Sequence, residues 1–159
     1  MSEKSQEHFL EMVRTHQGII HQLASLYADG QEERKDIYQE VLYQAWKSWP
    51  KFRGDAAFST WLYRLALNTI LTLQRAKRPM AVLEQAPDTA VEEHLHLEDK
   101  ERLHAAIKHL ADMDKALISL HLEGYSNPEI ASILGMGENN VAVRLHRAKQ
   151  QLSQKLKRV

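Results

Sequence analysis

The stretch from Phe52 to Arg78 constrains the fold of this chain more than any other. Its apolar residues recur at the spacing of one helical face: Phe58, Trp61, Leu62, Leu65, Ile70 and Leu73. Pro50 and Gly54 mark a short loop before this helix, and Asp55 is in position to cap it. Three polar residues fall largely off the apolar stripe: Arg64, Asn68 and Arg75. The stretch therefore predicts a helix with one buried face and one polar, basic face.

The polar face of this helix has the chemistry of a nucleic-acid contact. Its amide and guanidinium groups can meet base edges and phosphates. The loop at its start carries an aromatic residue, Phe52, beside the basic Arg53. Aromatic rings next to cationic groups are typical of surfaces that bind unpaired DNA bases. We therefore expect this loop and helix to contact single-stranded DNA.

Helical spacing also marks the segments before this stretch. Residues 7–29 predict two helices that are divided or kinked at Gly18. Residues 32–49 predict another helix, which Pro50 stops. The outer face of that helix is polar and carries Asp36, Gln39, Glu40, Tyr43 and Lys47. Apolar alternation is absent from this half of the chain, so no strand is predicted there.

The second half predicts a helix-turn-helix. A proline-containing, acidic segment at 79–96 is typical of a linker. Helices are predicted after it. Asp112 is in position to cap one of these helices at its start, and Gly124 closes the same helix. Ser126 to Glu129 form a capping box, and Gly135 to Gly137 form a tight turn before a last helix at 138–156. We predict an all-α chain of two small helical domains, 1–78 and 98–159, joined by a flexible linker at 79–97.

The last helix has a buried side and an outer side. Val141, Leu145, Ala148 and Leu152 align on the buried side. Six residues lie opposite: Asn139, Asn140, Val143, His146, Arg147 and Gln150. Asn140, Arg147 and Lys149 are the better candidates for DNA contacts, because Arg144 at the margin could pair with Glu129 instead. Residues near the start of such a helix are the ones that a major groove receives.

Charge and composition exclude several classes of function. Lys and Arg together number 21, as do Asp and Glu, but residues 33–78 and the end of the chain are basic while 79–123 is acidic. A net charge of zero predicts weak DNA binding by the free chain, so another protein has to add affinity. Without cysteine, a membrane-length apolar run or a signal peptide, the chain is expected to be cytosolic and not inserted in a membrane.

Neither a metal site nor an enzyme is predicted. His94 and His96 are too close in sequence to share a helical face, and His104 and His109 are poorly spaced for joint ligation. The chain has no phosphate-binding glycine loop and no nucleophile elbow. No cofactor is therefore expected.

Three blocks of this sequence together resemble one protein family. They are Asp36-Ile-Tyr-Gln-Glu40, the block from Phe52 to Asn68, and the end from Gly124 to Gly135 with Val141 to Ala148. In this order they resemble a bacterial extracytoplasmic-function (ECF) sigma factor of the sigma-70 family. The helix-turn-helix alone is weak evidence because many regulators share it. The first two blocks together are highly specific.

The resemblance implies a partner or DNA element for each surface. The helix with Asp36, Gln39, Glu40 and Tyr43 would dock on the β′ clamp coiled coil of RNA polymerase core, whose β subunit is also an expected partner. The region from Phe52 to Arg75 would melt and read the minus-ten element of promoter DNA, with a flipped base near Phe52 and Asn68. The last helix would read the minus-thirty-five element with six residues: Asn139, Asn140, Val143, Arg144, Arg147 and Lys149. The family also implies an anti-sigma factor as a partner.

Two departures from the family pattern leave alternatives open. Ala142-Val143 replaces a basic residue and a serine, which favours apolar contact with a thymine methyl over polar base readout. Gly137 replaces the usual serine cap of the last helix. A free-standing helix-turn-helix regulator that binds a palindrome without polymerase is one alternative. An adaptor that binds polymerase or an anti-sigma factor but no longer reads DNA is another.

Overall fold

The structure, a computed structural model, describes residues 3–77 and 98–157. These residues form seven α-helices and one 3-10 turn and contain no strand, which confirms the predicted all-helical fold of two small domains. The helices are α1 (Glu3–Tyr27), α2 (Gln31–Ser48), α3 (Phe58–Lys77), α4 (Asp99–Lys108), α5 (Asp112–Leu122), α6 (Asn127–Leu134) and α7 (Glu138–Lys157), and the 3-10 turn is Trp49–Lys51. The chain divides into two compact units, Met1–Leu73 and Gln74–Val159. The proposed linker and the histidines at 94 and 96 lie outside the described residues.

The first unit is built on an antiparallel pair of helices, α1 and α2. Its core takes apolar side chains from α1, α2 and α3, among them Val13, Ile20, Leu23, Ile37, Val41, Phe58 and Leu62. Residues 3–27 form one continuous helix, α1, so the predicted division into two helices at Gly18 is wrong. One exposed glycine costs a helix only about 1 kcal/mol, and the buried stripe continues through it from Val13 to Ile20.

The connection between α2 and α3 differs in two details from the prediction. Pro50 does not end helical structure directly, because the chain continues after α2 as a 3-10 helix with Pro50 in its first turn. Asp55 does not cap α3, which begins three residues later. The carbonyl of Ala57 accepts the first helical hydrogen bond, from the Trp61 N–H at 3.1 Å.

The second unit is arranged around α7, which packs against α4, α5 and α6. Asp112 is the first residue of α5 and Ala111 occupies the cap position, so the predicted Asp112 cap is wrong. At the start of α6 the predicted capping box is confirmed: the Ser126 hydroxyl accepts from the Glu129 N–H, and the Glu129 carboxylate accepts from the Ser126 N–H at 3.0 Å. Gly135 ends α6 in the left-handed conformation (φ 68°), which favours glycine.

Two kinds of feature are absent from residues 3–77 and 98–157. None of their helices is long and apolar enough to cross a membrane. Within the same ranges, no cluster of three or more His, Cys, Asp and Glu is arranged to hold a metal ion.

Candidate nucleic-acid interface

An aromatic cluster holds the loop before α3. The Phe52 ring stacks on Trp49 at 5.5 Å between centroids and contacts Trp61 at 5.1 Å and Phe58 at 5.9 Å. Trp49 and Phe58 are buried, whereas Phe52 and Trp61 are half-buried. The loop and the first turn of α3 therefore present two partly exposed rings, Phe52 and Trp61, above two buried ones.

The exposed face of α3 continues from these rings. Asn68 lies seven residues after Trp61, which is close to two helical turns and about 10 Å along the axis, so both residues are on one face. Asn68, Arg64 and Arg75 are all exposed, as is Arg53 in the loop. The structure thus brings the predicted amide and guanidinium groups to the solvent side of one helix. Trp61, assigned to core packing from its place in the apolar stripe, is half-exposed at the start of the same face.

The outer face of α2 carries the residues predicted to bind polymerase. Asp36, Gln39 and Tyr43 are exposed, and Glu40 is half-buried. The Glu40 carboxylate accepts a hydrogen bond from the Gln44 side-chain amide at 3.0 Å. Tyr43 leaves 57% of its surface exposed, which is unusual for a large apolar ring and gives this polar face an apolar centre.

Helices α6 and α7 and the turn between them form the predicted helix-turn-helix. The side of α7 that packs on the unit consists of Val141, Leu145, Ala148 and Leu152, all buried as predicted. The predicted DNA-facing residues are exposed with one exception: Asn139, Asn140, Val143, Arg147 and Lys149 are exposed, and Arg144 is half-buried.

Arg144 is held by an acidic residue that the sequence did not suggest. Its Nη2 and Nε atoms donate to Oδ1 of Asp114 on α5 at 3.2 and 3.3 Å. The alternative pairing with Glu129 is wrong, because the Glu129 carboxylate binds Ser126 in the capping box. Asp114, Arg144, Arg147 and Gln151 line a small surface concavity, so Arg147 stands next to this ion pair.

Lys149 on α7 lies close enough to His121 on α5 to affect its ionisation. Burial lowers the pKa of His121 on α5, and the positive charge of Lys149 lowers it further. The lowered pKa favours the neutral form of the His121 imidazole.

Comparison with known proteins identifies the family. The model for sigma-70 region 2 matches residues 12–79, and the model for sigma-70 region 4 matches residues 100–152. The ECF RNA polymerase sigma factor SigM of Mycobacterium tuberculosis is 32% identical, over 93% of this chain and 76% of that protein. The chain belongs to the ECF sigma factors of the sigma-70 family.

Other relatives and solved structures resemble this sigma factor over most of its length. The RNA polymerase sigma-H factor of Pseudomonas aeruginosa is 32% identical over 79% of this chain and 74% of that protein, and the ECF sigma-E factor of Escherichia coli K12 is 30% identical over 76% and 72%. The structure of CnrH in complex with the cytosolic domain of CnrY has a TM-score of 0.67 at 25% identity, covering 96% of this chain and 89% of that one. RpoE of Bartonella quintana, in complex with the anti-sigma factor NepR, has the same fold (TM-score 0.67, 20% identity, 98% of both chains).

In this sigma factor, region 2 contains the aromatic loop and the exposed face of α3, and region 4 contains the helix-turn-helix. Sequence reasoning missed two residues of these surfaces. Trp61 could have been found from its helical spacing to Asn68, which places the two on one face. Asp114 carried no signal, because it lies 30 residues from Arg144 in the chain.

Proposed function

We propose that this chain acts in the cytoplasm as a dissociable sigma subunit that directs RNA polymerase core to promoters, opens them and performs no chemistry itself. The observation that carries this proposal is the presence of regions 2 and 4 in one chain, each with its exposed polar face. A regulator with a helix-turn-helix alone needs no counterpart of region 2.

The aromatic loop and α3 open and read the minus-ten element in this proposal. Phe52 and Trp61 offer ring surface to an unstacked base, and Asn68 offers an amide to its edge. Arg53, Arg64 and Arg75 attract the strand's phosphates. Base–aromatic stacking contributes roughly 1–3 kcal/mol per base, while opening a duplex step costs about 1.4 kcal/mol. A few such contacts offset the melting of only a short segment, so polymerase has to stabilise the rest.

The outer face of α2 docks on polymerase in this proposal. Asp36, Gln39 and Glu40 lie one to two turns before Tyr43 on the same outer face of α2. An aromatic side chain with polar neighbours is a common arrangement in protein interfaces. The resemblance assigns the β′ clamp coiled coil to this face and adds the β subunit as a further contact.

Helix α7 reads the minus-thirty-five element in the major groove in this proposal. Asn139, Asn140 and Val143 lie in its first two turns, where base edges are reached, and Arg147 and Lys149 follow toward the phosphates. The Arg144 guanidinium is paired with the Asp114 carboxylate, so it joins α7 to α5. An anti-sigma factor is a further proposed partner, supported by the two similar structures, both of which are complexes with a second protein.

Run-off transcription with purified core polymerase and a promoter library tests the function. We expect the chain to start transcripts from a subset of templates that core alone does not use. The double variant Asp36→Arg/Glu40→Arg should fail to assemble with core, because it inverts the charge of the docking face. Glu7→Arg/Glu11→Arg is the matched control, since it makes the same charge change at the same spacing on exposed positions of α1.

Three results would contradict the proposal or a part of it. If the chain fails to bind core, or the complex starts RNA no better than core alone on every template, the sigma function is wrong. Tight binding to a palindromic duplex without polymerase would indicate a free-standing regulator instead. If both double variants co-purify equally with core, the docking face lies elsewhere.

A further inference from the structure

One apolar side chain occupies the centre of the outer face of α7. Val143 exposes 56% of its surface, whereas Val141 and Leu145 are buried in the unit. Val143 follows Val141 by two residues, or about 200° around a helix, so it points almost directly away from the core. It is the sixth residue of α7 (Glu138–Lys157) and therefore lies within the first two turns.

The neighbours of Val143 are polar and exposed. Asn139 and Arg147 stand one turn before and one turn after it, at i−4 and i+4, where side chains are adjacent on a helix. A long apolar group of another protein would find no extended apolar surface here. The surroundings match DNA, which offers base edges to Asn139 and phosphates to Arg147.

A valine at this position can recognise only one feature of the major groove. It has no donor or acceptor, so it forms no hydrogen bond with a base edge. The four bases present donors and acceptors in the major groove, and thymine alone presents a methyl group there. An outermost valine in the first two turns of a recognition helix therefore selects thymine by apolar contact.

We propose that Val143 is a specificity-determining residue that contacts the C5-methyl group of one thymine in the minus-thirty-five element. This inference rests on the proposed sigma function and assigns one base to one residue. Asn139 stands next to it with an amide that suits adenine. Together, Val143 and Asn139 give α7 a preference for A·T base pairs at this point of the element.

Replacing thymine by deoxyuridine tests the contact, because this change removes the methyl group and nothing else. The template is a promoter that the wild-type holoenzyme selects from a library, with each minus-thirty-five thymine on either strand replaced in turn. At one position we expect promoter affinity to fall roughly fourfold, the ratio that corresponds to about 0.8 kcal/mol for one buried methyl-sized group. With Val143→Ala the same replacement should have a clearly smaller effect, because the remaining methyl group lies farther from the base.

Leu122→Ala is the matched control. Leu122 exposes the same fraction of its surface, 56%, and lies on α5, outside the outer face of α7. Its variant should show the full fourfold effect of deoxyuridine. Because Val143 is exposed, its truncation to alanine leaves the core of the unit intact, and both variants should unfold at the wild-type urea concentration.

The possible outcomes distinguish failure of the methyl contact from failure of the proposed sigma function. If an active holoenzyme shows no deoxyuridine effect at any position, or the same effect with Val143→Ala as with wild type, the methyl contact is refuted and the sigma function stands. A selected minus-thirty-five element without any A·T pair refutes it equally. If the wild-type chain starts no transcript on any template, both the function and this inference fail.

Discussion

The ion pair between Arg144 and Asp114 gives a prediction that separates support of α7 from contact with DNA. Two hydrogen bonds of 3.2 and 3.3 Å join the side chains, which leave only 14% and 16% of their surface exposed. Hydrogen bonds to charged groups contribute about 1.5–3 kcal/mol. We therefore expect Arg144→Ala to lower the free energy of unfolding of the second unit by about 2 kcal/mol.

The matched control is Arg147→Ala, one turn away on the same helix and exposed. Substitutions at such surface positions usually change stability by less than about 0.5 kcal/mol. Its effect should appear in DNA binding instead. Loss of one phosphate contact lowers the slope of log affinity against log salt by about 0.9, and Arg144→Ala should leave this slope unchanged.

Urea unfolding of the full chain measures the stability, because the two units can be followed separately. All three tryptophans, Trp46, Trp49 and Trp61, lie in the first unit. Fluorescence therefore reports that unit, while circular dichroism at 222 nm reports the helices of both. Arg144→Ala should shift the circular dichroism transition and leave the fluorescence transition in place.

The reverse pattern would refute this reasoning. If Arg144→Ala is as stable as wild type but lowers the salt slope of promoter binding by holoenzyme, Arg144 is a phosphate contact and the ion pair contributes little. A double-mutant cycle with Asp114→Ala checks the same point, since the two changes should be non-additive.

Two further predictions concern the exposed face of α3 in region 2 and the capping box of region 4. Asn68→Ala should weaken promoter opening, measured by permanganate reactivity of unpaired thymines, while binding to core stays intact; Gln22→Ala on α1 is the control, and equal loss of both activities in Asn68→Ala would contradict the assignment. Hydrogen bonds from the Ser126 N–H and hydroxyl hold the pKa of Glu129 below its ordinary value of 4.5. A carboxylate with a depressed folded-state pKa stabilises the fold above its unfolded pKa and loses that contribution as the pH falls through the folded value. Wild type should therefore lose more unfolding free energy than Glu129→Gln when the pH is lowered from 4.5, and parallel pH profiles would argue against the box.

Local signals in the sequence predicted most of the fold, and non-local contacts account for the misses. The capping box at Ser126 and Glu129 was predictable because its hydrogen bonds span three residues. The prediction of two helices at Gly18 was wrong because the tertiary packing of α1 outweighs the helix-propensity cost of one glycine, which is about 1 kcal/mol. The predicted cap at Asp55 was wrong because α3 begins three residues later, at Phe58, and the spacing of apolar residues does not mark that boundary.

In the candidate site, too, local features were predictable from the sequence and non-local contacts were not. Helical periodicity was sufficient to place Asn68 and Arg147 on exposed faces, since a face depends only on spacing. The pairing of Arg144 depends on how α5 and α7 cross, so the sequence offered Glu129, the nearer acid, and the structure has Asp114. Trp61 was assigned to the core because a stripe of apolar residues does not show where burial ends.

The contacts of Trp49 connect the beginning of the chain to the loop before α3, which we propose contacts promoter DNA. Its indole N–H donates to the Ser5 hydroxyl at 3.0 Å, its ring packs on Phe9, and Phe52 stacks on it. Deleting the first two turns of α1 would therefore loosen Phe52 without touching any surface assigned to polymerase or promoter. A shortened amino terminus should yield a subunit that joins the enzyme normally yet is slow to form the transcription bubble.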